Sequence, residues 1–109
     1  MAKLLVIIAS GKEAKEKAVA GLLFAANTIK FNWAESVEII FFGPSEDMLA
    51  EDEEFRNLVV NSLGEYKPLA CKFIADAKGY SDKLDFARLE YIGDLVNKLI
   101  DEGYVPMVF

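Results

Sequence analysis

Cys71 is the one cysteine of this 109-residue chain, which has no histidine at all. A lone thiol closes no internal disulfide and builds no Cys-x-x-Cys redox or metal site. Without histidine there is no Ser-His-Asp triad, no Cys-His pair and no common zinc or haem ligand set. What one sulfur can do is nucleophilic: as a thiolate it attacks a sulfane sulfur or a mixed disulfide. Cys71 follows Lys67-Pro68-Leu69-Ala70 and precedes Lys72-Phe73-Ile74, so it reads as the end of a short strand and the start of a helix. A thiol at such a junction meets unpaired backbone N–H groups and the positive helix end, which favour a thiolate. Lys72 and Lys78 add positive charge, and Phe73 and Ile74 are placed to shield the sulfur from water. The simpler alternative is a small buried hydrophobe, which is what most free cysteines are.

Two other stretches invite chemistry. Ser10-Gly11-Lys12 has the look of a phosphate loop, but the upstream glycine of that motif is missing and residue 13 is Glu. Ser10 and Glu13 instead have capping-box spacing, so a helix is expected to start here, with anion binding at its N-terminus as the sharper alternative. Gly-x-Gly-x-x-Gly is absent, so dinucleotide binding has no motif support, and no cofactor is expected. The second stretch is acidic: Glu46, Asp47, Glu51, Asp52, Glu53 and Glu54, with no base among them. It lacks the spacing of an EF-hand loop, so no metal is expected. It reads either as a solvated face or, through Glu51, Asp52, Glu53 and Glu54, as a docking surface for a basic partner. Asp76 and Asp82 read as helix-surface residues.

The elements that must position these residues alternate strand with helix. Leu4 to Ala9 is a continuous apolar, β-branched run, typical of a parallel strand covered on both faces. Ala14, Ala18, Leu22, Ala25 and Ile29 mark a helix to about Phe31. Val37 to Phe42 is the second strand, closed by Gly43-Pro44. After the acidic stretch, Phe55, Leu58, Val59 and Leu63 give an amphipathic helix with Gly64 as its C-cap. Pro68 to Cys71 is a third strand and Lys72 to Lys78 a short helix ended by Gly79. Arg88 to Ile92 is a fourth strand. Ile92, Leu95, Val96, Leu99 and Ile100 mark the last helix, capped by Gly103, and Tyr104 to Phe109 is a closing strand. This alternation implies right-handed βαβ units and a parallel sheet. The loops leaving the strands' carboxyl ends then share one edge, where ligands bind. Ser10-Gly11-Lys12, Gly43 to Ala50 and the Cys71-Lys72 junction fall on it, which makes Ser10, Gly11, Gly43 and Pro44 candidate supports for Cys71.

Length fits one domain, residues 1–109, with no repeat or linker. The formal charge is −6. The acidic stretch holds six of the eighteen acids, which leaves twelve acids against twelve bases elsewhere. An acidic chain with two arginines, Arg56 and Arg88, lacks the basic face that nucleic acid requires. No segment is long enough to span a membrane. Met1 to Ser10 reads as a strand rather than a signal peptide, because a charged, helix-forming stretch follows at once. A cytoplasmic protein is the expectation. An apolar content of 53% in so short a chain leaves apolar surface for subunit contacts.

Lys67-Pro68-Leu69-Ala70-Cys71, with Gly79 eight residues beyond the cysteine, resembles the DsrE/DsrF-like family, which includes the TusD-type sulfur-relay subunits. Ala20-Gly21-Leu22-Leu23-Phe24-Ala25 is similar to that family's first helix, Val37 to Gly43 to its second strand, and Asp101 to Phe109 to its acidic turn and closing strand. The resemblance covers nearly the whole chain. It implies a three-layer α/β/α domain with a mostly parallel five-stranded sheet, assembled as a homo-oligomer (dimer, trimer or hexamer). It also implies a persulfide on Cys71, handed to a partner thiol. The second cysteine used by some relay proteins is absent. Two functions stay open: a sulfurtransferase-like sulfur carrier, and a non-catalytic oligomeric ligand-binding or assembly module with a structural Cys71. If the acids lie within about a Debye length (~8–10 Å) of the thiol, small anionic donors are repelled and a basic sulfur-carrier protein docks instead.

Overall fold

Five short runs pair into one sheet: Lys3–Ile8 (β1), Ser36–Phe41 (β2), Leu69–Cys71 (β3), Arg88–Glu90 (β4) and Val105–Val108 (β5). They are arranged in the order β4-β3-β2-β1-β5 in the computed structural model, which describes residues 1–109. Every pairing is parallel, so the sheet is wholly rather than mostly parallel. The helices are Lys15–Lys30 (α1), Pro44–Glu51 (α2), Glu53–Leu63 (α3), Lys72–Lys78 (α4) and Ile92–Asp101 (α5). The fold is a three-layer α/β/α domain.

The layering follows from the strand order. From β1 to β4 the chain steps one way across the sheet, so right-handed crossovers put α1, α2, α3 and α4 on one face. It then returns past β1 to β5, and the reversed step puts α5 on the other face. Side-chain alternation along the strands supplies both cores. Val6, Ile8, Ile39, Phe41 and Ala70 pack with Ala18, Leu22, Phe55, Val59 and Ala75 in the larger one. Phe41 and Phe55 meet edge to face at 6.1 Å between ring centres. Leu5, Ile40 and Leu69 pack with Ile92 and Leu99 of α5 in the smaller one. One ten-residue helix therefore covers the second face of a five-stranded sheet.

The structure departs from the sequence reading at three places on the site edge. The helix expected from Ser10 begins as a 3-10 turn at Lys12–Ala14, and α1 proper starts at Lys15. Ser10 makes no cap: its N–H donates to the Phe109 carbonyl, while both Glu13 oxygens accept from the Gly11 N–H at 2.6 and 3.0 Å. Gly43 to Ala50 is not a loop but the turn into α2 and most of that helix. Pro44 sits in its first turn, where a missing N–H costs nothing, and Glu46 and Asp47 complement the positive end. Finally, β4 stops at Glu90, because Tyr91 already caps α5.

Candidate functional site

β3 and β4 are neighbours, with Cys71 opposite Glu90. The chain leaving β3 turns into α4 on one face, and the chain leaving β4 turns into α5 on the other. This is the point where adjacent connections diverge, and in open parallel sheets such divergence opens a crevice beyond the strand ends. Cys71 stands at its mouth. The cysteine is free and half-buried, and it lines an apolar hollow of about 450 Å³ with Ile7, Ile40, Phe42, Ile74, Ile92 and Val96. The hollow exists because α5 alone does not fill the second face.

A buried carboxylate stands behind the thiol's backbone. β2 ends at Phe41, one residue short of pairing with Cys71. The Cys71 N–H, without a strand partner on that side, donates to Glu46 Oε1 at 3.1 Å. Glu46 is 0% exposed, and its Oε2 has no hydrogen-bond partner. Burial pushes its carboxyl up to about 7, against the pull of the Cys71 N–H; Asp47 pushes the same way as burial and Lys78 opposes it. Asp47 follows a different course. Burial pushes it up, but hydrogen bonds from Lys78 Nζ at 2.7 Å and Tyr80 Oη at 2.8 Å outweigh that and hold it below its usual range. Tyr80 is raised in turn by burial and by the bond it donates to Asp47.

The residues singled out from sequence divide. Lys72 is turned to Asp76, 2.9 Å away. Ile74 lines the hollow, but Phe73 is 65% exposed and does not. Gly11 and Pro44 meet each other rather than the thiol: a Cβ on Gly11 would stand 2.6 Å from the Pro44 carbonyl carbon. Gly43 turns the chain into α2 at φ 71°, and its carbonyl accepts from the N–H groups of Glu46 and Asp47. Ser45, unremarked in the sequence, is buried and donates from Oγ to the Ile8 carbonyl. These contacts seat α2 on the sheet edge and so aim Glu46.

The acidic stretch does not act as one surface. Asp52 caps α3 by accepting from the Phe55 N–H at 3.0 Å and pairs with Lys15 at 2.8 Å; both hold its carboxyl low. Glu54 shares that lysine at 3.0 Å. Glu51 and Glu53 are exposed and line, with Lys12, Glu13, Asp47 and Asp52, a separate hollow of about 720 Å³. No group of three or more Cys, Asp or Glu side chains is arranged to hold a metal ion. No helix is long and apolar enough to cross a membrane.

Glu46 was the residue sequence reasoning missed. Inside a run of six acids it looked solvated. The available signal was its spacing: Leu49 and Ala50 lie three and four residues on, on the same helix face, and both are buried.

No family model matches the chain, and no curated protein matches it. Among solved structures it is similar to BT1422, a conserved protein of unknown function from Bacteroides thetaiotaomicron. The TM-score is 0.78 at 18% identity, covering 96% of this chain and 94% of that one. It is also similar to the ychN protein from E. coli, with a TM-score of 0.73 at 11% identity over 100% of both chains. At these identities the likeness is one of fold.

Proposed function

We propose that Cys71 is a sulfur-carrying residue: it accepts a sulfane sulfur as a persulfide and passes it to a partner thiol. The observation that carries this reading is the position of Cys71, half-buried at the divergence of the β3 and β4 connections and open to an apolar hollow. The DsrE/DsrF-like resemblance of the sequence around it supports the same chemistry. In loading, the Cys71 thiolate attacks the outer sulfur of a donor persulfide. A new S–S bond forms at Sγ, the donor's S–S bond breaks, and the donor thiol leaves with its electron pair and takes up a proton. In discharge an acceptor thiolate attacks that outer sulfur and Cys71 leaves as the thiolate. Neither step needs an external oxidant or reductant. The hollow's apolar walls of Ile7, Ile74 and Ile92 would shield the bound sulfur from water.

The exposed Glu51 and Glu53 are the docking residues for a basic sulfur-carrier protein on this reading; Asp52 and Glu54 are engaged by Lys15. Incubation with a persulfide donor followed by intact mass is the test. Wild type gains one sulfur atom and Cys71→Ser gains none. If Cys71 stays unmodified while native and reacts only after unfolding, the proposal fails.

A second reading has an observation of its own. Phe42, Phe73, Tyr91, Ile100, Val105 and Val108 are all more than 40% exposed. Such residues suit a homo-oligomeric assembly module with a structural Cys71. A concentration-dependent oligomer with Cys71 inert towards sulfur would favour it.

A further inference from the structure

Glu46 is bound to the Cys71 amide, is wholly buried, and keeps one oxygen without a partner. Stitching α2 to β3 needs only an acceptor for one N–H, which a glutamine would supply. A charge-bearing group with an unmatched oxygen is more than that task requires, and burying it is costly unless the group stays neutral. We infer that Glu46 is a positioning residue for Cys71 whose protonation gates the thiol. Neutral, it lets the thiolate form; ionised, it places a second negative charge against the first.

The inference rests on the reading of Cys71 as a reactive thiol. The charged and titratable groups facing Glu46 are few. Asp47 lies beside it on α2; Lys78 approaches from α4; Tyr80 follows α4; Cys71 ends β3. Lys78 and Asp47 are bound to each other at 2.7 Å, so their opposite charges largely offset. Tyr80 donates a hydrogen bond to Asp47 and stays neutral. The group left to change charge near neutrality is Glu46 itself, with burial holding its proton to about pH 7. Anionic sulfur donors would meet least opposition where Glu46 is neutral.

The experiment compares wild type with Glu46→Gln, which keeps an acceptor for the Cys71 N–H and removes the charge. Iodoacetamide labelling of Cys71 in the native protein is followed from pH 6 to pH 8. The ratio of variant to wild-type rate should rise from near one at pH 6 to about twofold or more at pH 8, as Glu46 takes on charge in the wild type. Carbon-13 NMR of the Glu46 carboxyl in wild type gives an independent reading: a midpoint near 7, with the Cys71 amide shift following it. A flat ratio in folded variants, or a carboxyl midpoint below 5.5, overturns the inference. Iodoacetamide carries no sulfur, so the outcomes separate. Coupled labelling without sulfur uptake sinks only the sulfur reading; labelling with a flat ratio sinks only this one; no native labelling at any pH sinks both.

Discussion

Replacing Glu46 by glutamine should change the pH dependence of stability as well as the thiol's reactivity. In the unfolded chain the carboxyl titrates near 4.5; in the fold, burial raises it to about 7. Between those values the native state holds a proton that the unfolded state has released. Folding therefore binds protons there, and stability falls as pH climbs through that window. The contribution is whole below pH 4.5 and spent once pH passes 7. At ~1.36 kcal/mol per pH unit the gap amounts to about 3 kcal/mol. For a domain of this size that corresponds to roughly 10–20 °C in Tm. Urea unfolding of both proteins at about pH 5 and about pH 8 isolates the effect, because the glutamine does not titrate. The variant should match wild type near pH 5 and exceed it by about 3 kcal/mol near pH 8. Asp47, Asp52 and Asp76 are held low, so they add stability above their unfolded range and lose it in acid. They do so in both proteins and cancel. Equal stabilities of the two proteins at both pH values would refute the argument, since the carboxyl would then carry no burial cost.

Three further outcomes follow from the packing. Tyr66→Phe should cost about 1–3 kcal/mol, because the phenol oxygen accepts the Ile39 N–H at 2.8 Å and its loss leaves that amide bare; chemical denaturation measures it. Gly11→Ala should destabilise by ~2 kcal/mol or more, since the added carbon runs into the Pro44 carbonyl and displaces α2, and hydrogen exchange at Ser45 should quicken with it. Phe55→Ala should cost ~3–5 kcal/mol by emptying the space between α3 and Phe41, read from the urea midpoint.

The fold was legible because its signals are large. Continuous apolar runs such as Leu4–Ala9 fit only strands covered on both faces, and strand–helix alternation then fixes a parallel sheet. The position of Cys71 at a strand end followed from Pro68 before it and Gly79 after it, and the structure has β3 ending at that residue. What stayed hidden depends on contacts far apart in sequence. The Ser10–Glu13 spacing suits a capping box, yet Phe109 takes the Ser10 N–H from the other end of the chain. Six acids in nine residues read as a solvated stretch, and α2 was lost in it, though Pro44 at the start and Glu46 and Asp47 in the first turn are sound helix signals. Lys72 seemed placed to serve the thiol, but a helical neighbour four residues on captures it.

The division of the acidic stretch follows from the strand ends. Because β2 stops one residue before Cys71, an amide at the sheet edge is left without a backbone acceptor, and leaving it bare would cost as much as a lost hydrogen bond. The helix that follows β2 is the nearest element able to supply an oxygen, and residue 46 lies on its inward face. A serine or asparagine there would be too short to bridge from α2 to β3, while a glutamate's extra reach brings Oε1 to 3.1 Å. The cost is a carboxyl in an apolar interior, and the molecule meets it by keeping the proton rather than by adding a cation: Lys78, the nearby base, is bound to Asp47 instead. The remaining acids face outward, where Asp52 and Glu54 find Lys15, while Glu51 and Glu53 are exposed and form no ion pair. One run of like charges thus serves three physical purposes, decided residue by residue by the helix face on which each falls, and it is the buried Glu46 that reaches the Cys71 amide.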